Sequence, residues 1–393
     1  MKRSALTFLA DQCKSRLSLK SNLARSVTRH FATHGSSFPL STPAPPLSPP
    51  HDIEQQSTVI LPSTPPFPFN QPLTQPFSPF LSPDRHCTIV GAPFAGGQPL
   101  VGVDLGPNFI RKGGLQSRLT SDGWRVHDSG DVDVAKQTDA VSHIDTPLVK
   151  GAGIVGRTNE LLHHACLPPL LSGNFLLTLG GDHSIAVGSI SAVLKARPNT
   201  GIVWIDAHAD INTPYSSTSK NPHGMVVAFL ADLQRARTTP GFEWMDRERV
   251  PLLNLYRDLV YIGLRDVDEG ERAIIRHYNI RCYTMHDVDK YGIGEVMRRA
   301  VDHLSAYHSR PLHLSMDIDS IDPVFAPSTG TRVSGGLSYR EAYYVCEALS
   351  ESGMLCSMDM VEVNPSLNGE EDSGRTVQMA VGLIASAMGN KIL

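Results

Sequence analysis

In this chain of 393 residues, one hydrophobic run ends in alternating Asp, His and Asp: Trp204-Ile205-Asp206-Ala207-His208-Ala209-Asp210-Ile211-Asn212. Successive side chains of a strand point to opposite faces, so an extended backbone here would aim Asp206, His208 and Asp210 at one spot, as metal ligands must be aimed. Asp317-Ile318-Asp319 closes a second apolar run, and His183 follows a third in Gly180-Gly181-Asp182-His183-Ser184. Any one of these residues fits a helix cap or a turn. The six together do not, because four buried carboxylates without cations repel one another and stay largely protonated. Two divalent ions would nearly cancel that charge. Oxygen-rich donors with two imidazoles and no thiolate suit Mn²⁺, with Co²⁺, Ni²⁺ or Fe²⁺ as substitutes, better than structural Zn²⁺ or Mg²⁺. Two such ions about 3.5–4 Å apart lower the pKa of a bridging water, which makes metal-assisted hydrolysis the implied reaction class.

The elements that would position these residues are short apolar strands alternating with helical patterns. Strands are predicted over Cys87–Ala92, Trp124–His127, Phe175–Leu179, Gly201–Ile205, Leu259–Leu264, Arg281–Thr284, Leu312–Asp317 and Met354–Val361. Helices are predicted over Gly106–Leu119, Gly151–Ala165, Ile185–Lys195, Gly224–Gln234, Gly270–Tyr278, Gly292–Ala306, Ser338–Glu351 and Arg375–Met388. Such alternation implies an α/β fold, a mainly parallel sheet of roughly eight strands covered on both faces. Right-handed crossovers then place all strand C-termini along one edge, where open α/β sheets bind ligands. Four of the strands run into polar clusters at that edge: Asp182-His183, Asp206 to Asp210, Asp317 to Asp319, and Glu362-Val363-Asn364-Pro365.

A net charge of −4 and a pI near 6.5 give no general attraction to nucleic acid or to an anionic membrane. No apolar run approaches the ~20 residues of a transmembrane helix. The six cysteines show no CxxC spacing, which reads as reduced thiols in a non-secretory compartment. Residues 1–35 carry Lys2, Arg3, Lys14, Arg16, Lys20, Arg25 and Arg29 against the single acid Asp11, the composition of a mitochondrial transit segment; a basic leader without an address, on a cytoplasmic protein, is the alternative. Residues 36–84 hold 14 of the 29 prolines and read as an extended linker, with residues 85–393 as the catalytic domain.

The motifs carry a resemblance. Gly180-Gly181-Asp182-His183-Ser184, Asp206 to Pro214, His223-Gly224, Ser315 to Pro323 and Met360 to Pro365, in that order, resemble the signatures of the ureohydrolase family and within it most closely those of arginases. The likeness runs from about Thr88 to the C-terminus. It implies a three-layer α/β/α sandwich with two Mn²⁺ per subunit, hydrolysing L-arginine to L-ornithine and urea, in a homotrimer or hexamer. Carried across by position, one ion takes His183, Asp206, Asp210 and Asp317, the other Asp206, His208, Asp317 and Asp319. Glu362 matches the carboxylate that grips the guanidinium, and His223 the proton shuttle. Asn212, Ser219 and Asn221 match the α-carboxylate contacts, Asp268 the α-amino contact with Glu271 nearby, and Thr331 a further active-site position.

Two departures stand out. Lys220 occupies a position where arginases commonly have glycine, and Arg332 one where they commonly have proline. At positive φ, Lys220 would be strained, and its charge near the mouth would alter substrate affinity. Agmatinase or another guanidino-compound hydrolase is the enzymatic alternative, and a non-catalytic arginine-binding scaffold is the alternative from another class.

Overall fold

The computed structural model describes residues 78–134, 145–306 and 308–391. The segment read as a transit address and most of the expected proline-rich linker lie outside them. Within the described residues, β1 (His86–Ala92), β2 (Arg125–Asp131), β3 (Phe175–Gly180), β4 (Gly201–Ile205), β5 (Leu259–Leu264), β6 (Arg281–Thr284), β7 (Leu312–Asp317) and β8 (Leu355–Val361) form one sheet. Its order is β2-β1-β3-β8-β7-β4-β5-β6, and every neighbouring pair is parallel.

The six inner strands β1, β3, β8, β7, β4 and β5 bury both faces, as their near-continuous apolar sequences require, while the edge strands β2 and β6 stay partly exposed. Leu177, Val203 and Ile262 point to one face, where they meet Ile110, Leu119, Val296, Val345 and Leu383 from helices. Leu176, Ile202, Trp204 and Tyr261, one residue out of step, point to the other, against Leu162, Ile190, Phe229 and Trp244. Two apolar cores on either side of one sheet make the expected three-layer sandwich.

Several local expectations change. The single helix expected over Gly106–Leu119 is two, Gly106–Lys112 and Leu115–Ser121, because Gly114 turns the chain at φ 92°. The pattern read as one helix over Gly224–Gln234 is regular α-helix only from Val226 to Ala231. A helix over Met285–Tyr291 was missed; Thr284 caps it in a box with Asp287, three residues on. At the N-terminal side, Phe80 and Leu81 pack against the core, and the Ser82 N–H donates to Gly173 O at 2.7 Å. None of the helices of the described residues is long and apolar enough to cross a membrane. Cys87, Cys166, Cys282, Cys346 and Cys356 all carry free thiols.

One core residue gives the fold a pH dependence. His163, fully buried in the helix Ala152–Leu171, contacts Ser191 Oγ through Nδ1 at 2.8 Å. Burial, with Lys195 and His164 nearby, pushes its pKa down to about 4. The unfolded chain therefore takes up this proton first, so the contribution is complete above about pH 6.5 and is lost as pH falls towards 4. We expect wild type to lose about 2 kcal/mol more unfolding free energy than His163→Asn between those pH values, measured by denaturant titration. Equal losses would contradict the assignment.

Candidate metal centre

The five consecutive strands β3, β8, β7, β4 and β5 release their chains at one edge of the sheet. His183 follows β3, Glu362 follows β8, Asp317 ends β7, Asp206 follows β4, and Asp266 and Asp268 follow β5. Strand alternation does not aim the motif that follows β4, because β4 stops at Ile205 and Asp317 is followed directly by a 3₁₀ turn over Ile318–Ser320. The carboxylates bend the chain themselves. Asp206 Oδ1 accepts the His208 N–H at 2.7 Å, Asp317 Oδ1 accepts the Asp319 N–H at 2.8 Å, and Asp182 Oδ1 accepts the Ser184 N–H at 2.9 Å. The captures by Asp206 and Asp317 turn the backbone so that each alternating pair still faces the cluster. Asp210 completes its loop at φ 48° and Glu362 sits at φ 63°, a left-handed geometry that costs a non-glycine residue about 1–2 kcal/mol. Gly181 allows the close fit behind them, since a Cβ there would lie 1.9 Å from the Phe94 carbonyl oxygen.

All six expected ligands lie in one cluster. His183 Nδ1 is 3.2 Å from Asp206 Oδ2, 3.1 Å from Asp210 Oδ2 and 3.1 Å from Asp317 Oδ2. His208 Nδ1 is 3.1 Å from Asp319 Oδ2 and 3.4 Å from Asp206 Oδ1. Two groups with metal-ligand spacing result, His183 with Asp206 and Asp317, and Asp206 with His208 and Asp319. Asp206 belongs to both.

The donors fit a pair of cations. His183 Nδ1 is buried with three carboxylate oxygens around it, yet no aligned hydrogen bond joins it to any of them. Its other nitrogen, Nε2, is held by Ser315 Oγ at 2.9 Å, and its ring stacks on Trp204 with centroids 4.4 Å apart. An imidazole so clamped presents Nδ1 as a ligand. Charge points the same way. Burial, then Asp319 and Asp206, hold Asp317 well above the usual carboxylate range, and burial followed by Asp206 raises both Asp319 and Asp210. Burial also works against ionising Asp206, but His183 and His208 outweigh it and keep that carboxyl low.

Ser315 and Trp204, whose Nε1 donates to Asp206 Oδ2 at 3.0 Å, were missed by the sequence reading. A signal was present, because each stands two residues before a candidate ligand and so shares its side of the strand. Asp266, a further cleft residue, had only its proximity to Asp268 as a clue.

A cleft of about 210 Å³ opens over the cluster, lined by His208, Asp210, Asn212, Ser219, His223, Asp266, Asp268, Glu271, Asp317 and Thr331. Glu362 is buried beside it, Oε1 accepting the His183 N–H at 2.8 Å and lying 3.5 Å from His223 Nδ1. Asn212 Nδ2 donates to Asp268 Oδ2 at 2.7 Å, Asp268 caps the helix Glu269–His277 in a box with Glu271, and Thr331 Oγ1 donates to Asp319 Oδ2 at 2.7 Å. Asn221 does not line the cleft; its Oδ1 accepts from Lys150 Nζ at 3.3 Å. Arg332 is exposed.

Lys220 adopts φ 60°, the strained geometry foreseen for it, but its ammonium turns back to donate to Pro214 O at 3.1 Å and does not line the cleft. Lys220→Gly removes the left-handed penalty of about 1–2 kcal/mol against a chain-entropy cost of about 0.5–1. We expect a gain of up to about 1 kcal/mol in thermal unfolding with the Michaelis constant little changed. A loss of stability would mean that the Pro214 hydrogen bond outweighs the strain.

Comparison with known proteins places this geometry. The arginase family model matches residues 85–389. The chain is 42% identical to the arginase of Glaciozyma antarctica over 324 residues, 80% of this chain and 91% of that protein. It is 44% identical to arginase-1 of Oryctolagus cuniculus over 312 residues, 78% of this chain and 94% of that one. Among solved structures, the arginase of Bacillus caldovelox superposes with a TM-score of 0.71 at 36% identity, over 79% of this chain and 100% of its own. Entamoeba histolytica arginase in complex with L-ornithine gives 0.67 at 32% identity, over 78% of this chain and 98% of its own. By sequence, fold and the buried His and Asp groups at its sheet edge, the chain belongs to the arginase family.

Proposed function

We propose that this protein hydrolyses L-arginine to L-ornithine and urea with two Mn²⁺ per subunit, one held by His183, Asp206, Asp210 and Asp317 and the other by Asp206, His208, Asp317 and Asp319. The observation that carries the reading is His183 Nδ1, buried among three carboxylate oxygens without an aligned hydrogen bond. Bound in pairs, divalent ions supply a nucleophile near neutral pH by lowering the pKa of a water between them. Family membership supports L-arginine as the substrate.

The chain's own residues then have to bind, orient and move protons. A guanidinium carbon is a poor electrophile because its charge is delocalised, so orientation carries much of the catalysis. Glu362 Oε1 is anchored on the His183 N–H, and Oε2 is the oxygen that meets a guanidinium N–H. His223 turns Nδ1 towards Glu362, leaving Nε2 to exchange a proton with the leaving amine or incoming water. Burial lowers its pKa, but Glu362, Asp210 and Asp182 outweigh that and bring it to about 9 in the metal-free protein, and the Glu362 contact, which no ion cancels, favours the protonated ring that acts as an acid.

The far end of the cleft suits an amino acid. Asn212 gives one amide N–H to Asp268 and keeps the other for a carboxylate, which Ser219 also meets; Asn221 joins them on leaving Lys150. Asp268 and Glu271 take the α-ammonium. Burial, with Asp210 and Asp268 close by, pushes Glu271 up to about 8, and a cation beside it restores its charge. Thr331 steadies Asp319.

Urea release by the Mn²⁺-loaded protein from L-arginine and from agmatine, side by side, tests the assignment. The expected result is release from L-arginine alone; equal release from agmatine would overturn it. Composition supports residues 1–35 as a mitochondrial matrix address, with a cytoplasmic location as the alternative, and the family resemblance supports a homotrimer or hexamer as the assembly.

A further inference from the structure

Away from the catalytic cleft, His163, His164 and Glu248 each place one ligand atom within 4.8 Å of the other two. His163 and His164 lie in the helix Ala152–Leu171, and Glu248 directly follows the helix Trp244–Arg247. Lys195, which contacts Glu248, is near the end of the helix that leads back to the start of β4, so the cluster sits towards the edge of the sheet opposite the metal centre.

The protons at His163 can be assigned. Ser191 has one hydroxyl proton, and it goes to Gly188 O at 2.7 Å. Ser191 Oγ therefore accepts from His163, whose Nδ1 lies 2.8 Å away and must carry the hydrogen. The lone pair is then on Nε2. That atom is buried and meets no hydrogen-bond donor. The Trp244 indole N–H is also buried without an acceptor, but the two rings stand 5.3 Å apart and no hydrogen bond joins them. A buried imidazole with a free lone pair, in a residue grouped at ligand spacing with a second imidazole and a carboxylate, is the donor set of a borderline transition metal.

We infer that His163, His164 and Glu248 form a third metal position, separate from the catalytic pair and suited to Zn²⁺, with solvent completing the coordination. Burial and the nearby Lys195 keep His163 neutral at physiological pH, as ligation requires. The His164 side chain is half-exposed and that of Glu248 partly so, and they provide the ion's way in. His164 Nε2 stands 3.8 Å from Glu248 Oε1, and shifts of about 1 Å bring the set to tetrahedral spacing. The other oxygen, Oε2, is held by Lys195 Nζ at 2.6 Å. The site thus includes its own competitor. An ammonium this close weakens cation binding roughly tenfold, so Lys195 sets the affinity.

The test is equilibrium dialysis of the full-length Mn²⁺-loaded protein against Zn²⁺, with both metals counted per chain by elemental analysis. We expect one Zn²⁺ bound with Mn²⁺ retained, affinity at least tenfold weaker in His164→Ala and in Glu248→Gln, and roughly tenfold tighter in Lys195→Met. Both weakening variants alter accessible side chains, so a folding failure does not cloud the comparison. Zinc that binds only by displacing Mn²⁺, or that binds equally well to wild type and both weakening variants, would overturn the inference.

Discussion

Replacing Asp317 with asparagine is expected to lower urea release by about 10³-fold or more while leaving the metal-free protein within about 1 kcal/mol of wild type. Removing one member of a buried charged pair ordinarily costs about 3–5 kcal/mol. Asp317 differs because burial, Asp319 and Asp206 already hold its pKa well above the usual carboxylate range, so without metal the neutral form is the favoured one. Asparagine is neutral and nearly isosteric, and its side-chain oxygen can still accept the Asp319 N–H that fixes the turn. The charge is needed for metal. Activity, metal content and denaturant stability of the purified variant separate these effects. A variant that keeps both its metal and its turnover would remove Asp317 from the centre, and one that unfolds without metal would make its role structural.

Glu362→Gln should lower kcat/KM for L-arginine by about 10²–10³-fold, with metal content unchanged. Glutamine keeps an oxygen for the His183 N–H, and it retains the backbone at φ 63° as well as glutamate does. What it loses is the charge opposite the guanidinium. A second readout distinguishes this from misfolding. Glu362 is the first of the groups that raise His223, so the basic limb of the pH–rate profile should move to lower pH in the variant. A normal rate with an unshifted limb would mean that Glu362 touches neither the substrate nor the shuttle.

The inner strands of the sheet were legible in the sequence because they are apolar on both faces and stop at polar residues; Gly201–Ile205, Leu259–Leu264 and Leu312–Asp317 begin and end where their composition changes. The helices were less so. Gly114 and the turns around Val226–Ala231 break patterns whose periodicity runs on, since a positive φ is a backbone event that side-chain spacing does not record. At the candidate metal centre the residue types were legible but the reason for their convergence was not. Alternation suggested a strand, whereas Asp206 and Asp317 hold bent loops by accepting the N–H groups of His208 and Asp319. Lys220 shows the same limit: its strain could be foreseen from position, but the turn of its ammonium towards Pro214 depends on a loop fold that sequence does not fix.

Manganese titration tests the two ligand groups that share Asp206. Metal-free protein would receive increments of Mn²⁺, with bound metal per chain and urea release from L-arginine followed together. Activity should climb until two ions are bound per chain and then stay level. A plateau at one bound ion, or full turnover in the presence of a chelator, would rule out a two-ion centre.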